Sequence, residues 1–267
     1  MGVIFETGYS LPGSDEPTTH ARIAHSGNWQ SGGTITASTT ATGFFEDAPD
    51  NSLTYEKWKP SALPATWEND FGSANITDYC AIAGHTMGTN GNTLQVQYHN
   101  GTTWVDLINE AIEDDEPIFC IFEPKTRQRF RINISNGTAP TVAVVRFGSA
   151  LQMQRAIYGG VTPIKMNRKT TVRSTSSEAG QWLGRTKIRN SLSGSFSWSH
   201  LTATWVRANI ETLIQAVEQE PFFIAWRPAT FTDVNYCWTK QNPKGPQHTG
   251  PVDLMSFDLS VEALSYD

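Results

Sequence analysis

The chain has 267 residues, nine of them Trp, with 11% aromatic and only 17% charged residues. Gly, Ser, Thr and Asn are abundant and long Leu/Ala/Glu/Lys stretches are scarce, which excludes a helical bundle and favours short strands joined by polar turns. The formal net charge of −6 divides unevenly: residues 1–150 hold 8 Lys/Arg against 17 Asp/Glu, and residues 151–267 hold 12 against 9. That basic excess is too mild and too unclustered to indicate sequence-specific nucleic-acid binding.

Residues 1–30 read as an irregular arm, with Pro12, Pro17 and several Gly. The start, MGVIFETGYSLPGSDEP, lacks a basic head and an apolar core, so no signal peptide is expected. Nor does any run approach the ~18 apolar residues of a membrane span. Short β-like runs follow at 35–38, 65–68 and 76–83, separated by Pro, Asn, Asp and Gly. LQVQYHNGTTWVDL (94–107) reads as a hairpin about Asn100-Gly101, a dipeptide suited to a two-residue type I′ turn. That turn would pair Leu94 with Leu107 and Val96 with Val105, leaving Trp104 opposite Gln97 on the polar face. PIFCIFEP, RFRINIS and TVAVVRFG are further strands, and RFRINIS alternates Phe130, Ile132 and Ile134 against Arg129, Arg131 and Asn133. Strands at this spacing, with no helical period, predict an antiparallel sandwich over residues 1–150.

After Gly148 the chain becomes basic and Ser/Thr-rich. Residues 168–190 read as a long basic loop or protruding hairpin. One helix is predicted at about 204–219, because Val206, Ile210, Leu213, Ile214 and Val217 form one continuous stripe. Thr202 or Thr204 could cap its start, and Pro221 ends it. PFFIAWRP, VNYCWTK and LMSFDLSVEAL supply the remaining strands. The fold class expected is therefore all-β: an antiparallel sandwich, then a second β-sandwich or barrel at 151–267 with one packed α-helix.

Catalytic chemistry finds little foothold. There is no nucleophile elbow, P-loop, metalloprotease motif or paired Cys, and the six His never fall at ligand spacing. Cys80, Cys120 and Cys237 match no zinc or redox pattern and read as buried thiols. The acidic run Glu113–Glu116 reads as a solvated loop. A structural Ca²⁺, which needs several oxygen ligands, is the alternative reading of that run, and Asp47 with Asp50 is a second candidate site for one. Trp29, Trp58 and Trp104 are candidate glycan or partner contacts, since Trp offers a wide amphipathic face, while Trp67 reads as core. Arg168, Lys169, Arg173, Arg185, Lys187 and Arg189 form a candidate assembly loop that would seat on a more acidic neighbour.

Residues 34–148 resemble the discoidin (F5/8 type C) jelly-roll family, through WENDFG, HNGTTW and RFRINI in that order. The resemblance implies that the Trp of the NGTTW hairpin packs under an adjoining loop. The whole chain is similar to a class of bacteriophage virion proteins, through MQRAIYGGVTPI, SEAGQWLGRTKIR, SWSHLTATWVRANI and PFFIAWRPATF. The second half looks like phage tail-ring subunits of the tail-tube and distal-tail type. Its position after the accessory sandwich reverses the usual distal-tail order. The resemblance implies a non-enzymatic structural protein of the virion tail, made in the host cytoplasm. It would form a homo-oligomeric ring, a hexamer by analogy, and contact tail-tube, hub or fibre proteins. The alternative expectation is a glycan-binding module for attachment to a host surface.

Overall fold

A computed structural model of the chain describes residues 2–9, 18–157, 160–250 and 253–266. In chain order the strands are β1 (Val3–Phe5), β2 (Arg22–Ala24), β3 (Thr34–Ala37), β4 (Ala65–Ala83), β5 (Thr93–His99), β6 (Trp104–Ala111), β7 (Ile118–Ser135), β8 (Val144–Gly148) and β9 (Leu151–Gln152). There follow β10 (Arg168–Ser176), β11 (Trp182–Thr202), the helix α1 (Ala203–Gln219), β12 (Phe222–Ala225), β13 (Val234–Trp238), β14 (Gln247–His248) and β15 (Leu254–Ala263). The protein is all-β with one helix, as its composition predicts.

The first sheet runs β3-β4-β7-β5-β6, with β1 added to β7 and β8 to β4. Its two central strands are 19 and 18 residues long, long enough to run through two layers. Ala65–Asp70 pairs with Arg129–Ile134 in the outer layer, and Tyr79–Ile82 pairs with Ile118–Ile121 in the inner one. Register shifts between Asp70 and Asn75 and between Thr77 and Tyr79 mark the bend. The two layers close over Trp67, Phe130 and Ile132 from one side and Cys80, Ile82, Phe122 and Phe147 from the other. Along the outer layer of β7 the predicted alternation holds: Phe130, Ile132 and Ile134 are buried, while Arg129, Arg131 and Asn133 are partly exposed.

The second sheet runs β10-β11-β15-β13-β12-β2-β9, with β14 on β15. The helix covers one face, laying Val206, Ile210, Leu213 and Val217 into a cluster with Phe196, Trp198, Phe222 and Phe257. It spans one residue more than the sequence predicted. Thr202 sits at its N-cap but makes no side-chain capping bond, because its hydroxyl is engaged with Gln154 (3.0 Å).

A third apolar cluster joins the two sheets. Tyr79, Ala81, Phe119, Ile121 and Val144 of the first meet Ala24, Phe223, Ala225, Val234 and Tyr236 of the second. The inner layer is thus buried on both faces, which is why YCAIA and IFCIF read as unbroken apolar runs rather than alternating ones.

Two expectations are corrected. The N-terminal segment is not an irregular arm: β1 pairs in parallel with Phe119–Ile121, and β2 inserts into the second sheet beside β12. Pro12 and Pro17 lie outside the described residues, as do Tyr158 and Gly159 of the MQRAIYGGVTPI stretch. Of the two forms expected for residues 168–190, the structure has the hairpin, made by β10 with the first part of β11. The 94–107 hairpin closes on His99 and Trp104, with Val96 opposite Ile108. Asn100 explains the shift, since its side-chain oxygen accepts from the amides of Thr102 and Thr103, both at 2.9 Å. This Asx turn lengthens the loop, and a bulge beyond Val96 restores the burial phase. All three cysteines are buried and free, and Cys80 lies directly opposite Cys120.

Two outcomes follow from the seam and from a buried histidine. Phe223→Ala should destabilise the whole protein by about 3–5 kcal/mol. Calorimetry should still show one transition, because the seam couples both sheets. His85 is buried, its Nε2 bonds the Glu116 carbonyl at 2.8 Å, and its Nδ1 accepts from the Met87 amide. Burial holds its pKa at about 4, against an ordinary 6.5. Between those values only the unfolded chain takes up the proton, so stability falls as pH drops from 6.5 towards 4 and His85 costs nothing further below that. Its share is about 3 kcal/mol. Urea midpoints at neutral and acid pH should show a shallower acid loss in His85→Gln than in the parent.

Candidate functional site

The connection between β3 and β4 contains one 3-10 turn, Ala48–Asp50, and is otherwise irregular. Its backbone is held from beneath by buried side-chain donors. Trp58 Nε1 donates to the Thr39 carbonyl (3.1 Å), and Trp67 Nε1 donates to that of Glu46 (2.7 Å). Arg146 Nη1 donates to the Pro49 carbonyl (3.3 Å), and the Tyr236 hydroxyl to that of Ser52 (2.8 Å). A buried donor without a partner is costly, so each bond fixes its carbonyl in place. Three of the donors come from the first sheet's side, while Tyr236 belongs to β13 of the second.

Arg146 is the hub of this support. It is buried, ion-paired with Asp50 at 3.6 Å and stacked against Trp29, its guanidinium carbon 4.4 Å from the ring centre. Burial lowers its pKa, and the Asp50 carboxylate counters that shift. Burial likewise raises the Asp50 carboxyl, and Arg146 counters it. Trp29 is bridged to Gly148, where a β-carbon would meet the Asn28 carbonyl oxygen at 2.2 Å, so only glycine allows the approach.

Above this support the loop leaves aromatic side chains in water. Phe45 is 67% and Tyr55 75% exposed, and Leu53 is exposed beside them in sequence. An open cleft of about 670 Å³ is lined by Ile35, Thr40, Phe44, Phe45, Glu46 and Asp47 among others, while Leu53 and Tyr55 stand outside its lining. Lys59 stands over the Phe44 ring at 5.9 Å. The cleft therefore offers ring faces flanked by carboxylates, on a backbone already held in one conformation.

The residues singled out from sequence are distributed differently. Trp58 is fully buried and presents no face to a ligand. Trp29 is committed to Arg146. Trp104 is half-buried. Arg131 and Arg129 reach across the sheet to its ring at 4.1 and 5.3 Å, and His99 meets it edge-on at 5.1 Å. Those arginines are themselves fixed, Arg129 by Glu68 (2.6 Å) and Arg131 by Gln97 (2.6 Å). Trp104 thus packs against the arginines of the sheet's polar face.

Asp47 is exposed, whereas Asp50 is spent on Arg146. Among the described residues no grouping of three or more His, Cys, Asp or Glu could hold a metal ion. Lys169, Arg173, Arg185, Lys187 and Arg189 lie together on the β10–β11 hairpin, with Arg168 at its base. No helix among the described residues is long and apolar enough to cross a membrane. The sequence reading missed Phe45 and Tyr55. Their signal was available, since both stand in GFFEDAPDNSLTYEKW, a turn-rich stretch where no period assigns an aromatic residue to a core.

No protein-family profile matches the chain, and no curated protein matches it. Solved structures similar to it include the family 32 carbohydrate-binding module of C. perfringens NanJ in complex with galactose, at 14% identity and a TM-score of 0.40, covering 48% of this chain and 98% of that one. Chitosan-binding module 1 of the chitosanase/glucanase from Paenibacillus sp. IK-5 is 16% identical with a TM-score of 0.38, and the match covers 45% of this chain and 97% of that one. The SpGH29 structure is 16% identical with a TM-score of 0.40, and the match covers 46% of this chain but only 28% of that one.

The support beneath the loop is testable. Tyr236→Phe removes one donor and should lower stability by about 1 kcal/mol. Hydrogen exchange should quicken around residues 50–55, although Tyr236 lies in the other half of the chain.

Proposed function

We propose that the protein is a non-catalytic carbohydrate-binding protein that recognises its ligand through the loop between β3 and β4. One observation carries this reading: buried donors hold the loop's carbonyls while Phe45 and Tyr55 are left in solvent. A loop held in this way presents its side chains with little backbone ordering cost on binding. Sugar rings combine an apolar C–H face, which stacks on an aromatic ring, with a rim of hydroxyl donors. Phe45 and Tyr55 supply the first match, and the carboxylates of Glu46 and Asp47 supply acceptors for the second. The negative rim favours neutral or amino sugars over uronates and sulfated sugars.

A second reading, carried by the sequence resemblance, makes the protein a ring-forming component of a tailed-phage virion near the distal tail. The exposed β10–β11 hairpin favours it, because such an arm suits contact with another subunit. Both readings hold together if a ring displays the carbohydrate-binding loops outward.

A glycan array followed by calorimetry tests the primary reading. Phe45→Ala and Tyr55→Ala should each weaken binding about tenfold, or about 1.4 kcal/mol, while Trp104→Phe leaves it unchanged. A protein that retains no glycan, or one whose binding ignores both loop substitutions, overturns the assignment.

A further inference from the structure

The β10–β11 hairpin leaves the second sheet and continues outward with no layer against it. β11 pairs with β15 only from Leu192 onward, whereas its residues 182–191 pair with β10 alone among the described residues. Almost every side chain of the hairpin is exposed, including Trp182 at 71%, Leu183 and Ile188. The last two are the extra residues at the hairpin's two register shifts, where a bulge re-aims a side chain. A two-stranded ribbon on its own is marginal in water, and exposed apolar groups on it gain nothing there. Among the described residues nothing covers Trp182, Leu183 or Ile188.

The open edges indicate which partner. β10 is an edge strand of nine residues carrying Arg168, Lys169 and Arg173. At the far border of the first sheet, β6 is an edge strand of eight residues. It exposes Glu110 and leads into Glu113, also exposed. Each molecule therefore carries one long basic edge and one long acidic edge, on different sheets. An unpaired edge is a template for another strand, and opposite charge fixes which edges meet.

We propose that β10 of one copy adds to the β6 edge of a second copy, extending the first sheet of that neighbour. This deepens the assembly reading and is independent of the carbohydrate reading. The contact is heterologous: every copy gives its basic edge to one neighbour and its acidic edge to another, so the chain of contacts closes into a ring or runs on as a filament. Leu183, Ile188 and Trp182 travel with β10 and are covered on the neighbour's surface. Salt weakens the pairing, because exposed charges set its register.

Sedimentation of the full chain, with blocking variants of each edge, tests this. The parent should exceed the 29.5 kDa of one chain at low salt and shift downward as salt rises. Lys169→Glu/Arg173→Glu and Glu110→Lys/Glu113→Lys should each sediment as monomers, with unchanged circular dichroism and melting. Mixed in equal amounts, the two variants should assemble again, since the intact edges complement each other and so do the two reversed ones. A parent that stays monomeric at its highest soluble concentration overturns both this pairing and the assembly reading. Assembly that persists in both variants overturns the edge pairing and leaves the assembly reading standing. Assembly that disappears on nuclease treatment overturns the pairing in favour of a polyanion on the ribbon.

Discussion

Burial of the inner layer on both of its faces is the constraint from which the rest of the architecture follows. Cys80 and Ile82 point into the first sandwich, while Tyr79 and Ala81 point towards Phe223 and Tyr236. The same division recurs on β7, where Ile118 and Cys120 face one way and Phe119 and Ile121 the other. A layer of this kind cannot be exposed without stranding large apolar surface in water. The second sheet therefore serves the first as its missing cover, and α1 covers the second sheet in turn. The polar outer face of β7, with its arginines around Trp104, is where this stacking stops.

The loop between β3 and β4 depends on the same seam. Arg146 is on β8, next to Val145 and Phe147 in the first core, and Tyr236 is on β13, whose apolar neighbours fill the joint. Their donors meet within a few residues of one another, at Pro49 and Ser52. The irregular segment thus has a fixed shape although it contributes few side chains to any core. Its rigidity comes from being bonded through its carbonyls to two sheets that are themselves packed together.

How legible this was in the sequence depends on whether a residue's burial leaves a periodic trace. RFRINIS and the stripe through Val206, Ile210 and Leu213 were readable because one face is wet and the other dry, and the period records that difference. IFCIF identified a strand but not its second partner, since a strand buried on both faces carries no phase. The three residues of β2 hold no local signal for pairing with β12, from which some 200 positions of chain separate them. Within the site, composition treats every aromatic residue alike. Trp58, Trp104 and Phe45 differ only in what lies against them: a carbonyl and the core, two guanidinium groups, or water. Those neighbours come from distant strands, so the sequence put forward the tryptophans and passed over Phe45 and Tyr55.

The supports beneath the loop act on carbonyl oxygens at Thr39, Glu46, Pro49 and Ser52, and every residue type carries a carbonyl. Side chains at the exposed positions can therefore be exchanged while the backbone path is kept. Conformation is encoded in Trp58, Trp67, Arg146 and Tyr236, which are remote in sequence from most of the positions they hold, and what the loop shows to solvent is encoded in Phe45, Glu46, Asp47 and Tyr55. This separation lets the surface diversify one side chain at a time, as a change of vocabulary on an unchanged grammar.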